Sequence, residues 1–225
     1  MLPPDHTYIN SVDHILMDMD GTILDRSFDD FFWEEHLPRI YGEKNAISYD
    51  EAAAFLLTMY REREGTLEWT DLDYWSRRLN LDIAALKEGV GEKITPLPYA
   101  LEFLRHCRDQ GKSLTLVTNA HPKTLKIKAA KTGIDRHFDK LICAAEIGTA
   151  KEEKGFWPTL FKKLGFTPAK CFLADDNHQV LSSAAKAGVE HLVEISRPSS
   201  RPTGPPSGLF PSVDNFSRLM KSNNP

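Results

Sequence analysis

From Leu97 onward the chain alternates short apolar runs with helical stretches closed by glycine, and few folds accommodate that alternation. Pro98 opens a helix carrying Leu101, Leu104 and Cys107 at helical spacing, and Gly111 stops it. Residues 114–117 then read as a strand. The unit recurs: Pro122 opens a helix ending at Gly133, 141–144 is a strand, and 156–164 is a helix stopped by Gly165. A strand over 171–174, a helix over 179–187 closed by Gly188 and a strand over 191–195 complete the series. The apolar run His14-Ile15-Leu16-Met17 adds one more strand near the N-terminus. Five short apolar strands joined by helices predict an α/β fold, a doubly wound, Rossmann-like parallel sheet covered on both faces.

The stretch between the first strand and the second is far longer than one crossover helix requires. Its pattern is helical throughout. Ser48 with Glu51 predicts a capping box ahead of a helix over 52–63, Thr70 with Asp73 a second one ahead of Leu72, Trp75 and Leu79, and Asp82 starts a further helix. The expected division is a core of 1–26 and 94–225 with an all-helical cap over 27–93, whose two connections cross the active edge of the sheet as a hinge. Within the core, 196–212 carries Pro198, Pro202, Pro205, Pro206 and Pro211 among Ser and Gly. It reads as an extended, solvated connector to a short last helix near 215–220.

Four polar groups stand at predicted strand ends. Asp18 and Asp20 follow the first strand in Asp18-Met19-Asp20-Gly21-Thr22, Thr118-Asn119 follows the second, Lys151 lies after the third, and Asp175-Asp176 end the fourth. Parallel strands bring such ends to one edge. Carboxylates gathered there suit phosphoryl transfer through a covalent aspartyl phosphate, because a phosphate dianion repels a carboxylate nucleophile unless a divalent cation screens both. Asp18 is the expected nucleophile and Asp20 the proton donor to the leaving oxygen, then the base that activates water. Mg²⁺ is expected on Asp18, the Asp20 carbonyl and one or both of Asp175 and Asp176. Lys151 would neutralise excess charge, and Thr118 and Asn119 would bind phosphoryl oxygens.

These motifs, in this order, resemble the four motifs of the haloacid dehalogenase superfamily of phosphatases, and the helical insert sits where that family's C1 cap sits. The run Asp25-Arg26-Ser27-Phe28-Asp29-Asp30-Phe31-Phe32-Trp33, the pair Tyr74-Trp75, Thr118-Asn119-Ala120-His121-Pro122 and Lys151-Glu152-Glu153 resemble the GMP/IMP nucleotidases within it. That resemblance implies a purine 5′-nucleotidase releasing nucleoside and phosphate. The alternative is a sugar-phosphate phosphatase or phosphomutase, since substrate choice lies in the cap and not in the motifs. Many members follow the third-motif lysine with proline. Here Glu152 follows Lys151 and Lys154 lies close behind, so Lys151 is preferred while Lys154 stays open. The dehalogenase branch lacks the second aspartate of the first motif; Asp20 is present, which favours phosphate esters.

Composition excludes other classes. A net charge of −4 with no basic stripe argues against nucleic-acid binding. Cys107, Cys143 and Cys171 are odd in number and widely spaced, and read as reduced structural thiols. The N-terminal segment holds Asp5, His6 and Asp13 without an apolar run of signal-peptide length, and no run of about 18 apolar residues occurs. A cytoplasmic enzyme acting on a small phosphate ester, without a membrane partner, is expected. A signalling receiver also joins acidic groups, threonine and lysine, but its acidic pair precedes the acceptor, whereas here the pair comes last. His121 reads as the lead into a helix, given Pro122. Phe31, Phe32, Trp33, Trp69, Tyr74 and Trp75 read mainly as packing between cap helices, and most of Arg61, Arg63, Arg77 and Arg78 as solvated face.

Overall fold

The computed structural model describes residues 7–220; 1–6, among them Asp5 and His6, and 221–225 lie outside the described residues. Six parallel strands form one sheet in the order β3-β2-β1-β4-β5-β6. They are β1 His14–Met17, β2 Ser113–Thr118, β3 Lys140–Cys143, β4 Cys171–Asp175, β5 His191–Ile195 and β6 Ser212–Val213. Strand period explains the two covered faces. Ile15 and Met17 pack with Leu114, Phe103, Leu104 and Phe172 on one side, while Leu16 packs with Val117, Trp157, Leu160 and Val180 on the other. The doubly wound α/β expectation is met.

The order reverses direction at β1. From β1 the chain winds outward through β2 and β3, then returns to place β4 on the opposite side of β1, in register Ile15 with Phe172 and Met17 with Ala174. Ligands of open α/β sheets sit in the crevice that such a reversal leaves at the carboxyl ends.

Between β1 and β2 the structure is helical, as expected, with helices Ser27–Phe31, Leu37–Asn45, Tyr49–Arg61, Leu72–Leu79 and Ile83–Gly89. A wider π turn over Phe32–His36 joins the first two. These helices share an apolar cluster of their own around Phe32, Leu56, Leu72, Trp75 and Ile83. The two connections meet as a Leu24–Pro96 antiparallel bridge, with Asp25 N–H donating to the Thr95 carbonyl at 2.9 Å. The Ser48–Glu51 capping box forms.

Three sequence expectations require correction. Thr70 is not the cap of helix Leu72–Leu79: Asp71 accepts from the N–H of Asp73 and Tyr74, and Thr70 turns its hydroxyl to the Asn119 carbonyl at 2.7 Å. One charged oxygen of Asp71, Oδ1, accepts both amides, so the neighbouring aspartate takes the cap. A sixth strand exists, too short at two residues to show a period.

Most of the segment 196–212 is exposed coil, as expected, but its first part is not merely a solvated connector: Pro198 and Ser199 are buried. Pro198 accepts from Arg26 N–H at 3.0 Å, Ser200 N–H donates to Asp25 at 3.1 Å, and buried Ser199 reaches Asp30 at 3.3 Å. Carboxylates withdrawn from water require donors, and residues 198–200 of this segment meet Asp25 and Asp30. Burial works to raise the Asp25 carboxyl, yet donors from Ser27 and Ser200 prevail and hold it below the ordinary carboxylate range.

Candidate active site

The end of β1 continues the ladder by one bond, Asp18 N–H to the Ala174 carbonyl at 3.1 Å, so Asp18 leaves the sheet at the reversal point. Gly21 then turns the chain with φ +82°. A Cβ there would lie 2.7 Å from Cγ of Asp176 and 2.9 Å from Cβ of Pro198, so only glycine lets the loop close onto the acidic pair.

Lys151 organises the acidic centre. Its Nζ donates to Asp18 Oδ1 at 2.5 Å and to Asp175 Oδ2 at 2.7 Å, and all three residues are buried. Lys154 is exposed. Asp175 spends its other oxygen on the N–H of Asn177 at 2.9 Å, and Asp176 Oδ2 accepts from Arg26 at 2.9 Å. Among the described residues no donor reaches Asp18 Oδ2 or Asp176 Oδ1, and none reaches the Asp20 carbonyl.

Carboxylate oxygens of Asp18, Asp175 and Asp176 lie within 4.8 Å of one another. Burial pushes the Asp18 carboxyl up to about 7, with Lys151 opposing and Asp175 adding. It pushes Asp176 up to about 7, where Asp18 adds and Arg26 opposes, and Asp175 to about 6 against Lys151. Burial lowers the affinity of Lys151 for its proton, but Asp175 and Asp18 more than reverse this and keep it charged. Three carboxylates thus face one ammonium and one guanidinium. A hard cation with oxygen ligands fits that donor set and charge deficit.

Thr118 ends β2 buried, its Oγ1 accepting from Ala120 N–H at 3.0 Å. The Asn119 carboxamide bridges loops: Oδ1 accepts from Lys151 N–H at 2.9 Å and Nδ2 donates to Glu152 at 2.9 Å. Glu152 in turn accepts from Asn177 at 3.0 Å, and Trp157 donates to the Lys151 carbonyl at 2.9 Å. Lys151 is therefore fixed from three sides. Among the described residues, no hydrogen bond leaves the main-chain N–H of Met19, Asp20 or Asn119. Unspent donors of this kind suit an anion.

The Asp20 side chain bonds to Lys128, which also bonds Asp29, while Lys87 donates to Asp29 at 2.6 Å. Burial raises the Asp20 carboxyl, with Lys128 opposing and Asp29 adding. Sequence reasoning missed Lys128, Lys87 and the roles of Arg26 and Glu152. Both lysines carried a signal: Lys87 follows buried Ile83 by four positions and Lys128 follows buried Leu125 by three, so each sits on its helix's inward face.

Above these groups lies a cavity of about 490 Å³. Asp18, Asp20, Thr118, Lys151 and Asp176 line it from the core, and the inserted segment supplies Trp33, Tyr60, Arg61, Glu64 and Trp69. The volume lies in the range of small-ligand sites. Tyr74 and Trp75 pack within the helices, as expected for most of these aromatics. His121 caps helix Pro122–Thr132 through Nδ1.

The described residues hold no helix long and apolar enough to cross a membrane. A family model described as haloacid dehalogenase-like hydrolase matches residues 12–188. The chain is 34% identical over 211 residues to GMP/IMP nucleotidase YrfG of Escherichia coli (strain K12), covering 94% of this chain and 95% of that one. Pyrimidine 5′-nucleotidase YjjG of the same organism is 30% identical over 95 residues, 40% of this chain and 42% of that one. Among solved structures, a haloacid dehalogenase phosphatase from Thermococcus onnurineus superposes with TM-score 0.73 at 25% identity, covering 87% of this chain and 92% of that one. Taken with the parallel sheet and the four motifs at its carboxyl edge, these likenesses make the chain a member of the haloacid dehalogenase-like hydrolase family.

Proposed function

We propose that this hydrolase is a Mg²⁺-dependent phosphomonoesterase that releases phosphate from purine nucleoside 5′-monophosphates, GMP and IMP in particular. The observation that carries the chemistry is the buried Lys151 shared by Asp18 and Asp175 beside a third carboxylate and unspent N–H donors. The nucleotide class rests on the relative named a GMP/IMP nucleotidase. Residues 27–93 act as a cap over a core of 1–26 and 94–225, and three free buried cysteines suit a reducing, cytoplasmic setting.

Asp18, Asp176 and the Asp20 carbonyl, with Asp175 beside them, would hold Mg²⁺, which supplies Lewis-acid screening between the phosphate dianion and the carboxylate nucleophile. A carboxylate oxygen of Asp18 attacks phosphorus in line with the ester oxygen. The phosphorus–ester bond breaks, and Asp20 gives its proton to the departing alkoxide. The N–H groups of Met19, Asp20 and Asn119, the Thr118 hydroxyl and Lys151 hold the phosphoryl oxygens while charge builds on them. Asp20, now a carboxylate, takes a proton from water, whose oxygen attacks the phosphorus of the acyl phosphate. Inorganic phosphate leaves and Asp18 is restored. Lodging of the nucleoside among Trp33, Tyr60 and Trp69 keeps bulk water from the acyl phosphate until the alcohol departs.

Phosphate release should be followed across nucleoside monophosphates and sugar phosphates, with Mg²⁺ and with chelator. GMP and IMP should rank highest, chelation should silence turnover and Mg²⁺ should restore it, and Asp18→Asn should abolish it. Preference for a sugar phosphate would overturn the substrate class; activity under exhaustive chelation would overturn the metal assignment.

A further inference from the structure

The chemistry above uses Asp20 but not the three charges chained behind it, Lys128, Asp29 and Lys87. Asp20 bonds to Lys128, Lys128 to Asp29, and Asp29 to Lys87 at 2.6 Å. Each lysine is 1% exposed. Lys87 Nζ lies 4.8 Å from the Phe32 ring centre and 5.2 Å from those of Phe28 and Trp33, and Lys128 Nζ lies 5.4 Å from that of Phe28. Burying lone ammonium groups in an aromatic setting is costly, and each is retained here by carboxylate partners. Replacement by apolar side chains of similar size is commonly neutral or stabilising, so stability alone is a weak reason for such a chain.

Its two halves come from different layers. Asp20 follows β1 and Lys128 lies on helix Pro122–Thr132 of the core, whereas Asp29 and Lys87 lie on the first and last of the inserted helices. Lys128 holds Oδ1 of Asp20, which directs the other oxygen, Oδ2, elsewhere. Asp29 holds Lys128 in turn, and Lys87 holds Asp29. The chain can be complete only while the inserted helices rest on the core.

We propose that Lys128, braced by Asp29 and Lys87, is a positioning residue that aims the free oxygen of Asp20 at the leaving-group oxygen, and does so only when the inserted helices are seated. The proposal rests on the phosphomonoesterase reading. Seating would then be linked to proton delivery: ester cleavage waits for closure, and the acyl phosphate forms where water has been excluded.

Leaving-group dependence separates aim from architecture. An alkyl phosphate such as a nucleoside monophosphate expels a basic alkoxide that needs the proton of Asp20, while p-nitrophenyl phosphate expels a stable anion that does not. Values of kcat/KM report steps through phosphoenzyme formation for both. Lys128→Met should lower kcat/KM for the nucleotide by about 100-fold or more, the scale of a general acid contribution, and that for p-nitrophenyl phosphate by less than about 5-fold. Lys87→Met, three hydrogen bonds removed from Asp20, should show the same selectivity at about 10-fold, and it serves as the test should Lys128→Met fail to fold. Equal losses on the two substrates, or no loss, would overturn the proposal. Failure of the unaltered enzyme to hydrolyse alkyl phosphates, or survival of activity in Asp18→Asn, would instead overturn the phosphomonoesterase reading.

Discussion

At the scale of single residues, Lys151 is the group on which the acidic centre depends. It is the shared donor of Asp18 and Asp175, and its backbone and carbonyl are held by Asn119 and Trp157. Removing it leaves two buried carboxylates facing one another, a loss of about 3–5 kcal/mol for a broken buried pair, softened where a proton replaces the lysine. Lys151→Met should therefore lose activity and unfold at lower urea, while exposed Lys154→Ala should match the unaltered enzyme in both assays. Activity that followed Lys154 instead would reverse the assignment. The two lysines stand three positions apart in sequence, and only the turn after β3 separates their fates.

At the scale of elements, the inserted helices carry their own apolar cluster, and Trp75 is wholly buried in it with its indole N–H on the Trp69 carbonyl at 2.9 Å. Trp75→Ala should cost about 3–5 kcal/mol. Hydrogen exchange should then quicken over 49–89 while β1 and β4 keep their protection, as expected when two units carry separate cores. Uniform loss of protection would mean one cooperative unit. Strands and helices were legible in the sequence because glycine stops and apolar periods report local geometry. The docking of 198–200 within the exposed segment 196–212 was not, because proline and serine specify an extended chain without specifying what it lies against. Asp25 and Asp30, the carboxylates it serves, are distant in sequence.

For the whole molecule, the balance of charge at the sheet's edge sets a pH dependence. The carboxyls of Asp18 and Asp176, near 7, and Asp175, near 6, lie above the ordinary value of 3.8, so the metal-free folded chain holds protons that the unfolded chain has released. Their contribution to stability is greatest below the unfolded value and declines as pH rises through the folded ones. Burial holds His14, His36 and His137 below their ordinary range, which acts in the opposite sense near pH 6. The rise in Tm on adding Mg²⁺, measured against chelator at each pH, removes the histidine part. That rise should be larger at about pH 8 than at about pH 5.5, because protons and cation compete for the same oxygens. An increment independent of pH would place the ion elsewhere. Asp18, Thr118 and Asp175 stand at strand ends that the parallel sheet gathers by construction, whereas strand ends alone left Lys151 and Lys154 open until the fold buried one and exposed the other. Lys128 and Lys87 escaped notice because a lysine's composition suggests solvent and only its helical position betrays burial.

The reversal of strand order at β1 has a bearing on how the molecule comes into being. Residues 18 and 175 meet only after β4, late in the chain, has inserted beside the earliest strand, so no N-terminal fragment leaving the ribosome can display the acidic cluster. Mutual repulsion among those side chains is thus deferred until the surrounding hydrophobic layers are in place to withstand it.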